Sequence, residues 1–413
     1  MNTLIHRINC RGCLSLNIVK FLDLGKMPLA GGFLDKNQIP DEKRFDLSVY
    51  FCRNCSLVQI IDVVPPNILF EKYQYISSVI KSLSDYFKEY AAFLQTKQYL
   101  PSEGFLVEFG CNDGVLLECL SDSNIGILGV DPSKNVSEMG RQKGLPIITD
   151  YFTVPVAEMI KKKNGKADVV TGSNVFAHTD DIHEIVKAAK TLLKNDGVFI
   201  VEVHYIVDLL NDCQYDTIYH EHLLYYSVHA LNYIMTHHNL KLINVVRTKM
   251  HGGAIRVIAA RQNSKWRPES SVEEILSLEK EKQITSEKTY INFGEHARAH
   301  AEKLKSLLLS LKKKGNTISG YGAPGRGTIL LNYAKIGNDI LGYIIDASPL
   351  RAHKYMPGVH TPIHSHDYFK KNPTDYSLML AWNYKDYIFS QEKEYIANGG
   401  KFIIPFPYIS IHP

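Results

Sequence analysis

Residues 105–114 read FLVEFGCNDG, and this stretch decides the fold of the middle of the chain. Its apolar start predicts a buried strand, and Gly110 and Gly114 then predict a tight turn that leads into a helical pattern. A strand, a glycine-rich turn and a helix in this order place backbone N–H groups and a helix N-terminus beside a ligand. A second apolar strand follows and ends at Asp131, an acid placed to accept hydrogen bonds from the hydroxyls of a ribose.

The composition of this turn favours a cationic ligand over a dinucleotide. The turn lacks the G-x-G-x-x-G spacing, and two acids, Glu108 and Asp113, would repel a pyrophosphate. S-adenosylmethionine (SAM) is cationic, carries a ribose and has no phosphate. We therefore expect SAM to bind the following residues: Glu108, Gly110, Asn112, Asp113, Gly114 and Asp131. The alternative is an ordinary α/β crossover whose glycine turn binds nothing.

The bulk properties are those of an ordinary globular protein with two or three domains. The chain has 413 residues, 45% hydrophobic and 22% charged, and its net charge of +4 gives no strong reason to expect nucleic acid as a partner. The N-terminus has no signal-peptide pattern, and no apolar run reaches the length of a membrane span. We expect a cytoplasmic protein without a membrane partner, and the sequence does not predict its oligomeric state.

Four of the seven cysteines form two C-x-x-C pairs, Cys10 with Cys13 and Cys52 with Cys55. Two such pairs that bracket one small segment are typical of a zinc ribbon, in which four thiolates close a tetrahedral shell around Zn²⁺. A closed shell leaves no open position for chemistry, so we expect a structural metal.

The alternation of strands and helices predicts an α/β fold with three domains. Residues 1–68 would form a zinc-ribbon domain of short strands and turns, residues 69–262 a SAM-methyltransferase (Rossmann-like) domain, and residues 263–413 a helical connector followed by a second Rossmann-like domain. The strands expected in the middle domain are 105–109, 126–130, 146–149, 167–171, 197–202, 241–248 and 254–260. The last of them would close a parallel sheet in the antiparallel direction. Residues 268–313 predict an exposed helical pair.

The C-terminal region repeats the plan of strand, glycine turn, helix, strand and acid. The expected strands are 317–321, 340–345, 377–380 and 402–405, with a helix over 328–333. The turn carries Gly322, Pro324 and Arg326, and the second strand ends at Asp346. A guanidinium at a helix start suits a phosphate or a carboxylate, although a structural turn that binds nothing is the alternative.

Two polar segments follow the fourth and fifth strands of the middle domain. The first contains Asn174 and His178, and the second contains Tyr219, Glu221 and His222. The carboxyl ends of parallel strands face the ligand, and a histidine titrates near neutral pH, so an acid/base role is expected there. His-Glu-His lacks the spacing of the H-E-x-x-H zinc motif, and a surface histidine cluster is the other interpretation.

Together these motifs resemble the sugar C-methyltransferase family of deoxysugar biosynthesis, which acts on nucleotide-linked 4-keto-6-deoxy sugars. The resemblance covers nearly the whole chain. It rests on the paired C-x-x-C motif and on residues 108–114, 174–178, 219–222, 251–253 and 320–327.

The resemblance implies SAM-dependent methylation at C3 of a thymidine- or guanosine-diphosphate-linked (dTDP- or GDP-linked) sugar. His222 matches the general base of the family, with Glu221 and Tyr219 beside it. The resemblance also implies that a tyrosine before the first helix, Tyr73 or Tyr75, contacts the substrate. The expected substrate-binding residues are Gly253, Gly322, Pro324, Arg326 and Asp346. Asn174 and His178 are expected to take part in catalysis near the transferred methyl group, and Asn174 is also expected to bind SAM.

Three other functions fit parts of the sequence. An O-methyltransferase acting on a sugar hydroxyl would not need a 4-keto group. A non-catalytic protein could use the zinc ribbon and the SAM site for binding alone, although residues 1–68 lack a basic, aromatic-rich face. A nicotinamide oxidoreductase is disfavoured, because Pro324 and Arg326 stand where a pyrophosphate would approach.

Overall fold

The computed structural model describes residues 4–65, 68–69, 76–79, 81–248 and 250–413. Three larger sheets organise these residues, and the expected α/β class with a cysteine cluster and two Rossmann-like sheets is confirmed. Tyr73 and Tyr75 lie outside the described residues. Among the helices that are described, none combines the length and apolarity needed to cross a bilayer.

The N-terminal region contains strands β1 (Ile5–His6), β2 (Ile18–Pro28), β3 (Arg44–Cys52), β4 (Val58–Ile60) and β5 (Asp62–Val63). The prediction of short strands is wrong for β2, which has 11 residues and stays paired with β3 through two register shifts. The four-stranded sheet has the order β11-β4-β3-β2, and β11 (Leu224–Tyr225) comes from the middle of the chain. This sheet is therefore completed across the boundary predicted at residue 68, and the predicted domain limits stay predictions.

The middle region forms a seven-stranded sheet between two layers of helices. Its strands are β6 (Phe105–Phe109), β7 (Gly126–Val130), β8 (Ile147–Ile148), β9 (Ala167–Ser173), β10 (Leu193–His204), β12 (Leu240–Thr248) and β13 (Ala254–Arg261). Its helices are α1 (Lys81–Thr96), α2 (Val115–Glu118), α3 (Lys134–Gln142), α4 (Val154–Asn164), α5 (Ile182–Leu192), α6 (Ile206–Asn211) and α7 (Val228–His237).

The strand order of this sheet is β12-β13-β10-β9-β6-β7-β8. The last strand, β13, is antiparallel to both of its neighbours, as expected. However, β13 lies between β10 and β12 and not at the edge, so the edge of the sheet is formed by β12. The carboxyl ends of β6, β9 and β10 meet at one edge, where the predicted site residues follow them.

Two helices, α8 (Ser270–Glu281) and α9 (Glu287–Lys313), connect the middle region to the C-terminal one. The helical pair is confirmed, but α9 is not simply exposed, because an apolar stripe along it is buried. Gly294 of α9 lies against β2 so closely that a side chain there would meet the carbonyl oxygen of Phe21. The helix thus packs on the N-terminal sheet.

The C-terminal region contains strands β14 (Ile318–Tyr321), β15 (Ile344–Ile345), β16 (Ile363–His364), β17 (Tyr376–Met379), β18 (Lys401–Ile404) and β19 (Ser410–His412). Its helices are α10 (Gly325–Tyr333), α11 (His366–Lys371), α12 (Lys385–Gln391) and α13 (Lys393–Ala397). The sheet order is β16-β15-β14-β17-β18-β19, which is parallel except for β19.

Three details differ from the sequence prediction. Helix α10 begins at Gly325 and not at residue 328, so the glycine turn is shorter than expected. The second strand covers only Ile344–Ile345, because a turn in which Ile340 donates to the carbonyl of Gly337 occupies the start of the predicted range. Strands β16 and β19 are too short for an alternating pattern to reveal them.

Candidate active site

The four paired cysteines converge on one point. Their Sγ atoms all lie within 4.8 Å of one another, and two of the separations, Cys10 to Cys55 and Cys13 to Cys52, are both 3.5 Å. A tetrahedral zinc with Zn–S bonds of about 2.3 Å requires S···S distances of about 3.8 Å. The four thiols fit this ion, and three of the four cysteines are buried, with Cys13 partly exposed, as expected of a structural zinc.

The turn after β6 has a backbone that only particular residues tolerate. Gly110 adopts φ +63°, and a Cβ there would lie 2.5 Å from Cγ2 of Val175. The Gly110 N–H donates to the carbonyl of Val130 at 2.8 Å, which holds the turn against the end of β7. The close approach of Gly110 to Val175 shows that this turn also packs directly beside the loop that starts at Asn174.

The acids of this turn have unequal surroundings. The two oxygens of Asp131 accept N–H groups of Asn112 and Ser133, both at 2.9 Å, so the carboxylate is fixed at the end of β7. Asp113 is paired with Lys143 at 3.0 Å. Glu108 is buried, and its Oε2 has no hydrogen-bond partner among the described residues.

The electrostatics of Glu108 fit a cationic ligand. Burial, followed by the charges of Asp131 and Asp113, raises the pKa of Glu108 well above its ordinary value. A buried carboxyl without a cation beside it is stabilised in its ionised form when a positive charge arrives. The residues expected to hold SAM are thus brought together, and Gly114, in the left-handed conformation, closes their turn before α2.

The segment after β10 places His222 at the centre of an aromatic cluster. His222 is buried, and its Nδ1 lies 2.9 Å from the carbonyl oxygen of Thr217. A carbonyl accepts only from a protonated nitrogen, so the proton of the neutral ring sits on Nδ1 and Nε2 is the basic nitrogen. The rings of Tyr219 and His178 have centroids 3.9 Å and 5.1 Å from that of His222.

Burial alters the charge of two neighbours of His222. It lowers the pKa of His178 to about 4, so this imidazole is neutral at pH 7. It also raises the pKa of Glu221 to about 7. By contrast, His220 points away from the cluster, with Nε2 3.3 Å from the carbonyl of Phe45, and supports the N-terminal sheet.

Three features near the cluster were missed by the sequence analysis. His204, the last residue of β10, has its ring centroid 4.9 Å from that of His222. A loop of the N-terminal region reaches the same place, because a Cβ on Gly31 would lie 3.8 Å from Oε1 of Glu221. Trp382, one of two tryptophans in the chain, donates from Nε1 to Asp216 at 2.8 Å. Only its rarity could have drawn attention to Trp382.

The C-terminal glycine turn lies beside these residues. The Arg326 guanidinium is 5.1 Å from the centroid of the Trp382 ring. Burial raises the pKa of Asp216, while the charge of Arg326 and the Trp382 N–H oppose that rise. Arg326 is partly exposed and lies close enough to Asp216 of the middle region to affect the pKa of that carboxyl.

The other predicted substrate residues flank this junction. Gly253 adopts φ +124° in the turn before β13, and its carbonyl accepts the N–H of Tyr205, the residue that follows β10. Pro324 caps the start of α10. Asp346 accepts the N–H of Ala323 at 2.7 Å. The described site residues therefore form two groups, one on the middle sheet and one on the C-terminal sheet, joined through Asp216 and Trp382.

Comparisons with known proteins assign the family. The chain is 35% identical over 399 residues to the C-methyltransferase NovU of Streptomyces niveus, which covers 96% of this chain and 95% of that protein. The chain belongs to the C-methyltransferase family. Its parts match three family descriptions: "Putative zinc binding domain" over 10–70, "Methyltransferase domain" over 80–245 and "C-methyltransferase C-terminal domain" over 249–407.

Two further similarities cover a smaller part of this C-methyltransferase. A ubiquinone biosynthesis O-methyltransferase of Acinetobacter baylyi is 28% identical over 95 residues, 22% of this chain and 40% of that protein. The magnesium protoporphyrin IX methyltransferase of Synechocystis PCC 6803, solved with bound SAM, aligns with 43% of this chain and 79% of its own at a TM-score of 0.33 and 14% identity. The predicted enzyme class, a SAM-dependent C-methyltransferase with zinc in its N-terminal region, is confirmed.

Proposed function

We propose that this enzyme methylates C3 of a nucleotide-linked 4-keto-6-deoxy sugar and that His222 is its general base. The observation that carries the proposal is the hydrogen bond from Nδ1 of His222 to Thr217, which directs the basic Nε2 away from the backbone. The base lies at the edge of the sheet where the SAM turn ends.

All seven cysteines are outside disulfides, which supports the expected cytoplasmic location.

The ketone at C4 explains why a general base is sufficient to prepare C3 for methylation. A C3–H bond is acidic only when an adjacent carbonyl can accept the electron pair, so removal of the proton by His222 would produce an enolate with its charge on the C4 oxygen. The bond between Nδ1–H and Thr217 would stabilise the imidazolium that forms. SAM, when bound, supplies the electrophilic methyl group that the enolate carbon accepts.

Donors around His222 would stabilise the enolate oxygen. Tyr219 carries a hydroxyl beside the base, and neutral His178 can donate from one ring nitrogen without adding a competing charge. A donor aimed at a developing oxyanion contributes about 3–4 kcal/mol in comparable sites. Glu221 would either orient His222 or contact a sugar hydroxyl. Tyr73 and Tyr75 stay predicted donors that lie outside the described residues.

The nucleotide would occupy the junction with the C-terminal sheet. The turn of residues 322–327 presents the start of α10 and the Arg326 cation, both of which suit a diphosphate. The ring of Trp382 lies beside that cation and offers an apolar surface to a base or a sugar. A dTDP- or GDP-linked acceptor would thus span the two groups of site residues.

Mass spectrometry of a substrate panel tests the proposal. The enzyme would be incubated with SAM and a series of thymidine- and guanosine-linked 4-keto-6-deoxy sugars, each matched with its C4-reduced partner. We expect a methylated product, with the new carbon on C3, from at least one keto sugar and from none of the reduced ones. Methylation of the reduced sugars would favour an O-methyltransferase, and SAM binding without any turnover would favour a non-catalytic protein.

A further inference from the structure

Arg11, which lies between the two cysteines of the first zinc knuckle, is almost wholly buried. Only 1% of its side chain is exposed. Its Nη1 donates to the carbonyl of Ile60 at 2.6 Å, and its backbone N–H donates to Oε1 of Gln59 at 3.0 Å. Both contacts fall on β4, so the knuckle is fixed to the strand that pairs with β11.

The other side of the Arg11 guanidinium reaches the middle region. Its Nε donates to Oδ1 of Asp180 at 2.9 Å. Arg7 donates two hydrogen bonds to the same carboxylate, 2.7 Å to Oδ1 and 2.5 Å to Oδ2. Burial alone would raise the pKa of Asp180, but the hydrogen bonds and charges of the two arginines outweigh it and lower that pKa below its ordinary value.

Asp180 stands two residues after His178 in the loop that follows β9. The backbone joins this loop to the His222 segment, because the N–H of Leu223 donates to the carbonyl of Ala177 at 2.9 Å. The carbonyl of Leu223 in turn accepts the N–H of Ile60 at 3.0 Å. Both histidine segments are therefore bound to the strand and to the arginine that the zinc knuckle holds.

We propose that Arg11 is a positioning residue for methyl transfer, because it ties the zinc knuckle to the segments that carry His178 and His222. The proposal rests on the proposed function in one respect, since it takes these histidines to act on the substrate. A planar guanidinium is suited to the task because its several donors have a fixed geometry and can hold two segments at once. The zinc site would then act on catalysis through the placement of two imidazoles.

The second knuckle provides a matched comparison within the chain. Arg53 follows Cys52 as Arg11 follows Cys10. It also donates to a carboxylate, with hydrogen bonds of 2.5 Å and 2.9 Å to Glu287. However, 47% of the Arg53 side chain is exposed, and Glu287 begins the connecting helix α9, far along the chain from the histidines. Loss of the ion pair between Arg53 and Glu287 should not move the histidine segments.

The test compares Asp180→Asn with Glu287→Gln in the full-length, zinc-loaded enzyme. Each change removes one charge and keeps the size of the side chain. For Asp180→Asn we expect kcat to fall about 10- to 100-fold, since small displacements of a catalytic group have effects of this size. Its zinc content and its SAM affinity should stay at the wild-type values. Glu287→Gln should keep the wild-type kcat, zinc content and SAM affinity.

Imidazole NMR supplies a readout that does not depend on turnover. With labelled histidine, the ring resonances of His178 and His222 should shift in Asp180→Asn and stay in place in Glu287→Gln. Arg11→Lys should reproduce the loss of kcat, and the double variant with Asp180→Asn should lose no more than the worse single variant, because both act through one contact. Wild-type kcat in Asp180→Asn, or an equal loss in Glu287→Gln, would overturn the proposal.

A milder variant covers the case in which Asp180→Asn no longer binds zinc or SAM. Arg7→Lys leaves Arg11 and Asp180 in place and weakens only the partly exposed ion pair between residue 7 and Asp180. It should lower kcat severalfold and shift the same resonances, and wild-type values for both would count against the proposal. Failure of the proposed function is distinct: it would appear as wild-type kcat in His222→Asn, whatever Asp180→Asn does.

Discussion

In the middle and the C-terminal regions alike, a glycine in the left-handed conformation follows the first strand and donates its N–H to the last carbonyl of the second. The distance is 2.8 Å in both cases, from Gly110 to Val130 and from Gly322 to Ile345. The residue after that carbonyl is an aspartate whose oxygens accept two backbone N–H groups. The two regions thus share one backbone frame for a ligand.

The charges built on this frame differ. The middle region has a buried acid, Glu108, two residues before its glycine, whereas the C-terminal region has Gly320 at that position. The C-terminal aspartate, Asp346, has Arg351 3.4 Å away, and Arg326 stands at the start of its helix. The same frame therefore carries an anionic group in one region and cationic groups in the other, which is the difference that our proposal of a cationic donor and a phosphorylated acceptor requires.

The comparison predicts that the proton chemistry belongs to the middle region alone. His222→Asn should lower kcat by a factor of about 10²–10⁴, the usual contribution of a general base, with both ligands bound nearly as before. The control is His366→Asn, in a histidine that pairs with Glu392 beside the C-terminal sheet. Steady-state kinetics should show at most a severalfold change in that control. A comparable loss in both variants would contradict this division.

The two aspartates should control different ligands. Asp131→Asn should weaken SAM binding by about 2–3 kcal/mol, the usual contribution of hydrogen bonds to a charged acceptor, because we propose that this carboxylate binds the ribose of SAM and because it fixes the turn. Asp346→Asn should leave SAM affinity unchanged and raise the KM for the nucleotide sugar. Calorimetry with SAM and kinetics with the sugar would check both. Weakened SAM binding in Asp346→Asn would reverse the roles of the two regions.

SAM affinity should increase with pH because of Glu108. Its pKa is raised, so the free enzyme retains a proton that a bound cation would expel, and binding is favoured where the carboxylate is already ionised. We expect a gain of up to about tenfold per pH unit below that pKa, and none in Glu108→Gln. Glu118→Gln, in an exposed acid at the end of α2, is the control and should keep the dependence. A flat wild-type profile would count against Glu108 as the acid that meets SAM.

The cation of the C-terminal turn should affect only the acceptor. Arg326→Ala should raise the KM for the nucleotide sugar about tenfold, corresponding to about 1.4 kcal/mol, and spare the SAM affinity. Arg298→Ala, in an exposed arginine of α9, should change neither value. Initial rates at varied sugar concentration provide the measurement. Loss of SAM binding with the sugar KM unchanged would show that Arg326 serves the donor.

The shared frame could be predicted from sequence because its parts are consecutive. A strand, a glycine turn and an acid can be identified within about thirty residues, and the C-x-x-C pairs reveal the zinc site through local spacing. The position of β13 inside the sheet, the Gly31 loop beside Glu221 and the contact of Arg11 with Asp180 depend on packing between distant segments. No periodicity or spacing records such contacts. His204 was missed because a single histidine at a strand end has no distinguishing pattern.

The exchange of the C3 proton tests the central claim most directly. Incubation of the wild-type enzyme with a 4-keto nucleotide sugar in deuterated water should place deuterium on C3, because we propose that His222 removes that proton before any methyl transfer. Mass spectrometry should show this exchange in the wild type and almost none in His222→Asn. Exchange at the wild-type rate in the variant would contradict the assignment of His222 as the base.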